Sequence, residues 1–440
     1  MTNLKKQLGF KEALSITIGV VIGEGIFFKA SSVFNNAGSP TLGIVAWIIA
    51  GIITICCGLS IAEVSSSIPR DGGLYGYLKE LYNEKIAYLY GWMQNIIYYP
   101  ALVASASIVF SRQATYFIQL TETEQKLLSI GLILFLSIIH ILSTKTAGKL
   151  QIIFTAGKLI PLFAIIIIGL FYNGNNTGVI FSEYSTPSNS LGFGSALLAC
   201  LWAYDGWISV GNITGEMKNP EKDLPKAIIL GLSLIMVVYV SISFVFLKVL
   251  GFNNAITSNK IASDVSLIIF GKVGATLITI GILVSVIGAF NGNLISGSRI
   301  SYTMANDKLL PFSKSLSKVS KFNTPIYSII LTSGLGIIYV FTGTYESITN
   351  ICLFSALFFF LLGVTGVFIL RKRDITSSYK TPLYPIVPII GILGGSYVII
   401  DTLFSDFKNA SIGILITILG YPVYVFLKKN KRSANYERSK

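Results

Sequence analysis

The sequence predicts an all-α, polytopic membrane protein of twelve transmembrane helices, and three observations carry that prediction. Only 12% of the 440 residues are charged, against roughly 25% in an ordinary soluble domain. Hydrophobic residues make up 52%, and the mean hydropathy is +0.70. Apolar runs recur along the whole chain at close to the roughly 20 residues a helix needs to cross hydrocarbon. The period-2 alternation of a membrane barrel is absent, and helices satisfy their own backbone groups in lipid.

The spans fall at 11–35, 41–66, 86–116, 126–143, 148–172, 191–215, 226–250, 272–304, 326–343, 347–370, 385–403 and 409–427. Short connections join them, so residues 1–440 read as a single transmembrane domain. The first span is too polar for a cleaved signal peptide, and no small-residue cleavage site follows it.

The net charge of +14 is distributed by topology. With a cytoplasmic N-terminus, the inner segments hold Lys5, Lys6, Lys145, Lys149, Lys308, Lys314, Lys318, Arg371, Lys372, Arg373 and a basic tail at 428–440. The outer segments hold only Lys29, Lys126, Lys248, Lys260, Lys272 and Lys408. This is the positive-inside pattern with both termini cytoplasmic. It implies the lipid bilayer of the cell membrane as partner and removes the case for nucleic acid.

Cys56, Cys57, Cys200 and Cys352 lie in predicted spans without CxxC spacing, as small apolar packing residues do. His140 is alone in the fourth span, which leaves a histidine metal site nothing to build on. No hydrolase elbow, phosphate loop or redox motif occurs. Neither an enzyme nor a cofactor is expected.

The informative features are interruptions. Span one carries I-G-E-G-I, Ile22, Gly23, Glu24, Gly25 and Ile26. Span six carries W-A-Y-D-G, Trp202, Ala203, Tyr204, Asp205 and Gly206. The two lie five spans apart, and paired Gly-interrupted segments in corresponding positions point to a transporter binding site. A five-helix repeat over 11–172 and a second over 191–370 follow. The odd number of helices inverts the second copy, and two further helices fill 385–427.

A half-helix that begins at mid-membrane aims N–H groups at a carboxylate, and one that ends there aims carbonyls at an ammonium. Together they suit a zwitterion such as an α-amino acid. The plainer alternative is glycine packing at helix crossings.

Lys158 in span five is too deep for simple snorkelling, about nine residues from Lys149 at about 1.5 Å each. Two roles stand: a structural cation tethering helix five to the broken first helix, or a proton carrier. Trp202 is a gate over substrate or a packing residue. Tyr239 and Asn291 are polar handles on the cavity or interhelical hydrogen-bond formers. Tyr98, Tyr99 and Pro100 form a lesser belt of the same kind.

These motifs carry a resemblance. I-G-x-G-I-F, A-E-V-S-S-S-I-P-R-D-G-G-L-Y-G-Y at 62–77, A-Y-D-G-W, T-G-E-M-K-N-P-E-K-D-L-P-K-A-I at 214–228, F-N-G-N-L-I-S-G-S-R at 290–299 and N-T-P at 323–325 occur in order. The combination resembles the amino acid–polyamine–organocation superfamily, in particular the L-type amino acid transporter branch and its bacterial serine/threonine-exchanger relatives. It covers nearly the whole chain.

The resemblance implies a LeuT-type fold of two inverted five-helix repeats with broken helices one and six. It implies sodium-independent exchange of neutral L-amino acids by alternating access. Substrate carboxylate would meet amides around Gly23 to Ile26, and substrate ammonium the carbonyls around Trp202 to Asp205. Lys158 matches the family's fifth-helix lysine, and Tyr239 and Asn291 match polar positions near its site. Animal members bond a glycoprotein through an external cysteine. The loop from Phe117 to Lys126 has none, so no disulfide-linked heavy subunit is expected.

One position departs, since the family usually has serine, threonine or alanine where this chain has Glu24. An ionised Glu24 a few ångströms from substrate carboxylate would cost about 4 kcal/mol at an effective dielectric near 20, about three decades of affinity. Three readings follow. Glu24 pairs with Lys158 or turns from the cavity, or it is protonated and shares its proton with substrate, or it binds a cationic group of an amine. The expected function is exchange of small to medium neutral amino acids. The alternatives are a proton-coupled amine, polyamine or cationic amino acid carrier, and a non-transporting sensor of the same fold.

Overall fold

A computed structural model describes residues 9–23, 25–68, 73–142, 159–173, 191–208, 217–320, 324–375 and 377–438. Their regular elements are helices throughout: α1 (Phe10–Val21), α2 (Gly25–Ala37), α3 (Pro40–Ser67), α4 (Gly73–Leu81), α5 (Glu84–Met93), α6 (Tyr99–Ala114), α7 (Glu122–Leu142), α8 (Leu159–Phe171) and α9 (Phe193–Ala203). The series continues with α10 (Pro220–Leu250), α11 (Phe252–Thr257), α12 (Ile261–Asn306), α13 (Ser313–Leu316), α14 (Ile326–Thr342), α15 (Tyr345–Lys372), α16 (Ile386–Ser405), α17 (Phe407–Ile418) and α18 (Gly420–Arg438). Among the described residues, eight helical stretches are long and apolar enough to cross a membrane. Three more, α8, α9 and α14, are apolar but shorter.

Local chemistry accounts for the boundaries. Ser39 caps α3, its hydroxyl accepting the Leu42 N–H at 3.1 Å, with Pro40 at the first helical position. Asn83 caps α5 by accepting the Ile86 N–H at 3.0 Å. The predicted third span is a continuous stretch, Glu84–Ala114, with a five-residue π-helical turn over Gln94–Tyr98. Pro100 explains the irregularity, because it has no N–H to give the carbonyl of Ile96. The Tyr339 hydroxyl donates to that carbonyl instead, at 2.7 Å. In α12 the backbone leaves helical geometry at Gly271 (φ 66°), one residue before the predicted start of span eight.

The chain divides into two compact units. The first comprises 1–81, 155–285 and 357–407. Within it α3 packs against α2, α9, α10 and α16, while α1 lies on α10 and α2 on α9. Glu63 on α3 is almost fully buried and receives the guanidinium of Arg371, Nε at 2.7 Å and Nη2 at 3.1 Å. The Thr381 N–H donates to its second oxygen at 2.6 Å.

The second unit comprises 82–154, 286–356 and 408–440. There α6, α7 and α14 pack mutually and α18 lies on α5. Small polar side chains tie these helices, Ser137 to Ser333 at 2.6 Å and Ser129 to Ser111 at 2.9 Å. Asn95 and Ser301 are also hydrogen-bonded.

Candidate functional site at two helix breaks

The first break opens after Val21. The Ile22 N–H closes the last turn of α1 on the Ile18 carbonyl at 3.0 Å, and its ψ of 93° then leaves the helix. Helical structure resumes at Gly25. At 12 and 13 residues, α1 and α2 span about 18–20 Å each, so neither crosses hydrocarbon alone. The second break follows Ala203. Tyr204 and Asp205 donate back to Cys200 (3.0 Å) and Trp202 (3.2 Å), and Gly206 turns the chain with φ 100°, a conformation that costs glycine little.

The fold brings the two breaks together. Gly25 meets Ala203 so closely that a Cβ on Gly25 would sit 2.7 Å from Ala203 Cα. The fully buried Tyr239 of α10 then bridges both helix ends. Its hydroxyl shares one proton between the carbonyls of Val21 (3.1 Å) and Ala203 (3.0 Å). Carbonyls in a helix's last turn lack intrahelical partners, and water is scarce at this depth. A carbonyl has two lone pairs, so each keeps one acceptor direction open.

Around the bridge lies a buried aromatic cluster. Trp47 packs on Tyr239 with ring centroids 5.4 Å apart and on Tyr204 at 6.1 Å, and Tyr204 on Tyr239 at 5.1 Å. The Tyr204 hydroxyl donates to the Trp47 carbonyl at 3.1 Å. Trp202 is buried, while Gly23, Asp205 and Gly206 are partly accessible. The N-terminal turn of α2 presents the amides of Gly25 and Ile26, and the ends of α1 and α9 present carbonyls. That is the charge pattern that recognises a zwitterion.

Glu24 and Lys158 lie outside the described residues. Asn291 belongs to the second unit, where its side chain hydrogen-bonds His140. Two buried groups went unread in the sequence. Lys29, grouped there with the outer charges, is wholly buried in α2, because the helix restarts at Gly25 and leaves it one turn inside. Trp47 carried no signal beyond an apolar run. An ionisable residue inside a span is the signal that would have found Lys29.

Comparison with known proteins gives the family. The amino acid permease family model matches residues 8–426. The chain is 38% identical over 434 residues to the serine/threonine exchanger SteT of Bacillus subtilis, with 98% of both chains covered. It is 30% identical over 436 residues to the large neutral amino acids transporter small subunit 2 of Mus musculus, covering 96% of this chain and 81% of that one. Identity to the cystine/glutamate transporter of Homo sapiens is 28% over 429 residues, covering 96% and 85%. These relatives are transporters, not enzymes. The chain is a multi-pass membrane protein that belongs to the amino acid permease family, within the amino acid–polyamine–organocation superfamily.

Proposed function

We propose that the protein is a sodium-independent exchanger of small to medium neutral L-amino acids, of the serine, threonine and alanine kind. It works by alternating access in the cell membrane, with both termini cytoplasmic. Twelve spans in a LeuT-type arrangement, two inverted five-helix repeats followed by two helices, complete the reading. The observation that carries it is the meeting of the two breaks at Gly25 and Ala203, held by Tyr239. Full-length similarity to a serine/threonine exchanger supports the substrate class.

In this reading the substrate carboxylate accepts hydrogen bonds from amides of residues 23–26. Its ammonium donates to carbonyls of residues 202–205, including the open lone pair on Ala203. Trp202 closes over the substrate, and Lys158 is the fixed cation between helix five and the first break. The burial of all four cysteines in helices supports a protein that works without a disulfide-linked subunit. The acid at Glu24 favours one second reading, a proton-coupled carrier of an amine or cationic amino acid.

Radiolabelled serine uptake into proteoliposomes decides between them. Exchange requires uptake into preloaded vesicles to exceed uptake into empty ones, without sodium, and neutral amino acids to compete best. Equal uptake into empty vesicles, driven by an inward proton gradient and blocked by amines, overturns it. Binding without counterflow identifies a sensor.

A further inference from the structure

A cavity of about 260 Å³ lies within the second unit, walled by His140, Ser298, Arg299, Tyr302, Thr324 and Ile329 among others. Its floor is one stripe of α12. Ile295, Ser298, Arg299 and Tyr302 lie three and four residues apart and so share a face. The end of α7 and the start of α14 close the sides, joined where the Thr324 hydroxyl donates to the Ile141 carbonyl at 2.9 Å.

Three observations give the cavity a chemistry. His140 is 97% buried (3% exposed), interacts with Asn291 on one side, and leaves Nε2 without a hydrogen-bond partner at the cavity wall. A buried polar nitrogen left unsatisfied is costly, so an occupant that accepts or donates there is favoured. Arg299 is exposed at the mouth, and a guanidinium suits a phosphate or carboxylate through two parallel N–H donors. α7, which carries His140, exposes Leu134, Ile138 and Leu142 at four-residue spacing, and α14, which carries Ile329, exposes Tyr327 and Ile330. A soluble anion has no use for apolar ridges, whereas acyl chains do.

From this juxtaposition we infer that the cavity is a binding site for the phosphate headgroup of an anionic phospholipid. The phosphate sits between Arg299 and His140, and the acyl chains run along the exposed ridges of α7 and α14. The proposed orientation puts this end of the helices on the cytoplasmic side with Lys314 and Lys318, where basic pockets between helices meet acidic headgroups. The site uses none of the groups assigned to amino acid recognition except Asn291, which reaches it only through His140.

Native mass spectrometry of the purified full chain tests this without relying on transport or on membrane orientation. The protein is given equimolar phosphatidylglycerol and phosphatidylcholine in detergent. Wild type is expected to retain phosphatidylglycerol preferentially. Arg299→Gln, an exposed position that leaves folding intact, should lower that retention about tenfold, as loss of a charge-assisted hydrogen bond implies. His140→Gln should lower it as well, while Lys314→Gln with Lys318→Gln, outside the cavity wall, should not. Unchanged retention in Arg299→Gln overturns the inference, and so does an equal loss in the lysine double variant, which means unspecific attraction. Displacement by millimolar inorganic phosphate also overturns it, by marking a soluble-anion site.

Discussion

Gly25 and Ala203, 178 positions apart in the sequence, pack backbone to backbone, with room for a hydrogen on Gly25 and none for a methyl. The close approach is what sets the two helix breaks in register. In Gly25→Ala the new Cβ meets a main-chain carbon and not the yielding end of a side chain, so one helix end must shift. Overpacking of this kind costs about 1–3 kcal/mol, which a folded membrane domain tolerates. Correct charge placement does not survive a displacement of that size. Gly25→Ala should therefore elute as a folded monodisperse protein yet lose about tenfold or more in initial uptake rate. Wild-type uptake in that variant would show that the contact plays no part in transport.

Two tyrosine hydroxyls in one aromatic cluster should behave differently. Tyr239 serves carbonyls in the last turns of α1 and α9, which have no helical donor of their own. Tyr204 donates to the carbonyl of Trp47, inside the continuous helix α3. Removing the first bond strands two buried acceptors, at about 1–3 kcal/mol. Removing the second leaves a carbonyl still in its helical ladder. Tyr239→Phe should lower both thermal stability and uptake, and Tyr204→Phe should lower each by less. Measuring both in one proteoliposome preparation checks the order, and a reversed order would contradict the assigned roles.

Local breaks were readable in the sequence because glycine and an acid within an apolar run are costly unless used. Among the described residues eight helical stretches are long and apolar enough to cross a membrane, and α1 ends at Val21, immediately before the glycine-flanked motif. Long-range pairings were not readable. Nothing local to Tyr239 says that its hydroxyl spans two helix ends, and nothing local to Asn291 says that it turns to His140. Pro100 was read only as part of a belt on span three, and the donor that serves the carbonyl it leaves free, Tyr339, lies more than 200 residues away. Lys29 was counted among the outer charges, and that its side chain is wholly buried depends on the packing of α2, which nothing local states.

Glu63 and Arg371 tie α3 to the end of α15 through a near-bidentate pair, to which Thr381 adds a backbone donor. Glu63 has 2% of its side chain exposed and Arg371 30%, so removing one partner strands a charge only partly reached by water. Arg371→Gln should destabilise by about 2–3 kcal/mol. Arg371→Lys should recover only part of this, because an ammonium does not present two parallel donors. The double variant Glu63→Gln with Arg371→Gln should be less destabilised than the sum of the singles, by about 1–2 kcal/mol. Labelling of the four buried cysteines during thermal unfolding provides the readout. Strict additivity would show that the pair contributes nothing beyond its separate packing.

The last prediction concerns the acid between the two glycines of the first break. In the proposed exchanger the carboxylate-binding amides are those of Glu24's neighbours in the sequence. An ionised, unpaired acid there would repel substrate by about 4 kcal/mol at an effective dielectric near 20. Neutral-substrate exchange therefore requires Glu24 to be compensated, and Lys158 is the proposed partner. Glu24→Ser, which restores the residue type usual in the resembling family, should then keep the preference for neutral amino acids. It should also keep the same ratio of uptake between pH 5.5 and 7.5. Glu24→Gln and Lys158→Gln should each impair uptake, and the double variant should be impaired by less than the product of the two, as coupled partners are. A carrier that binds a cationic group at Glu24 behaves in the opposite way. Its amine competition disappears in Glu24→Ser, and its pH dependence disappears with it if the acid carries the proton. Loss of either property in Glu24→Ser would replace neutral exchange with the amine or proton-coupled reading.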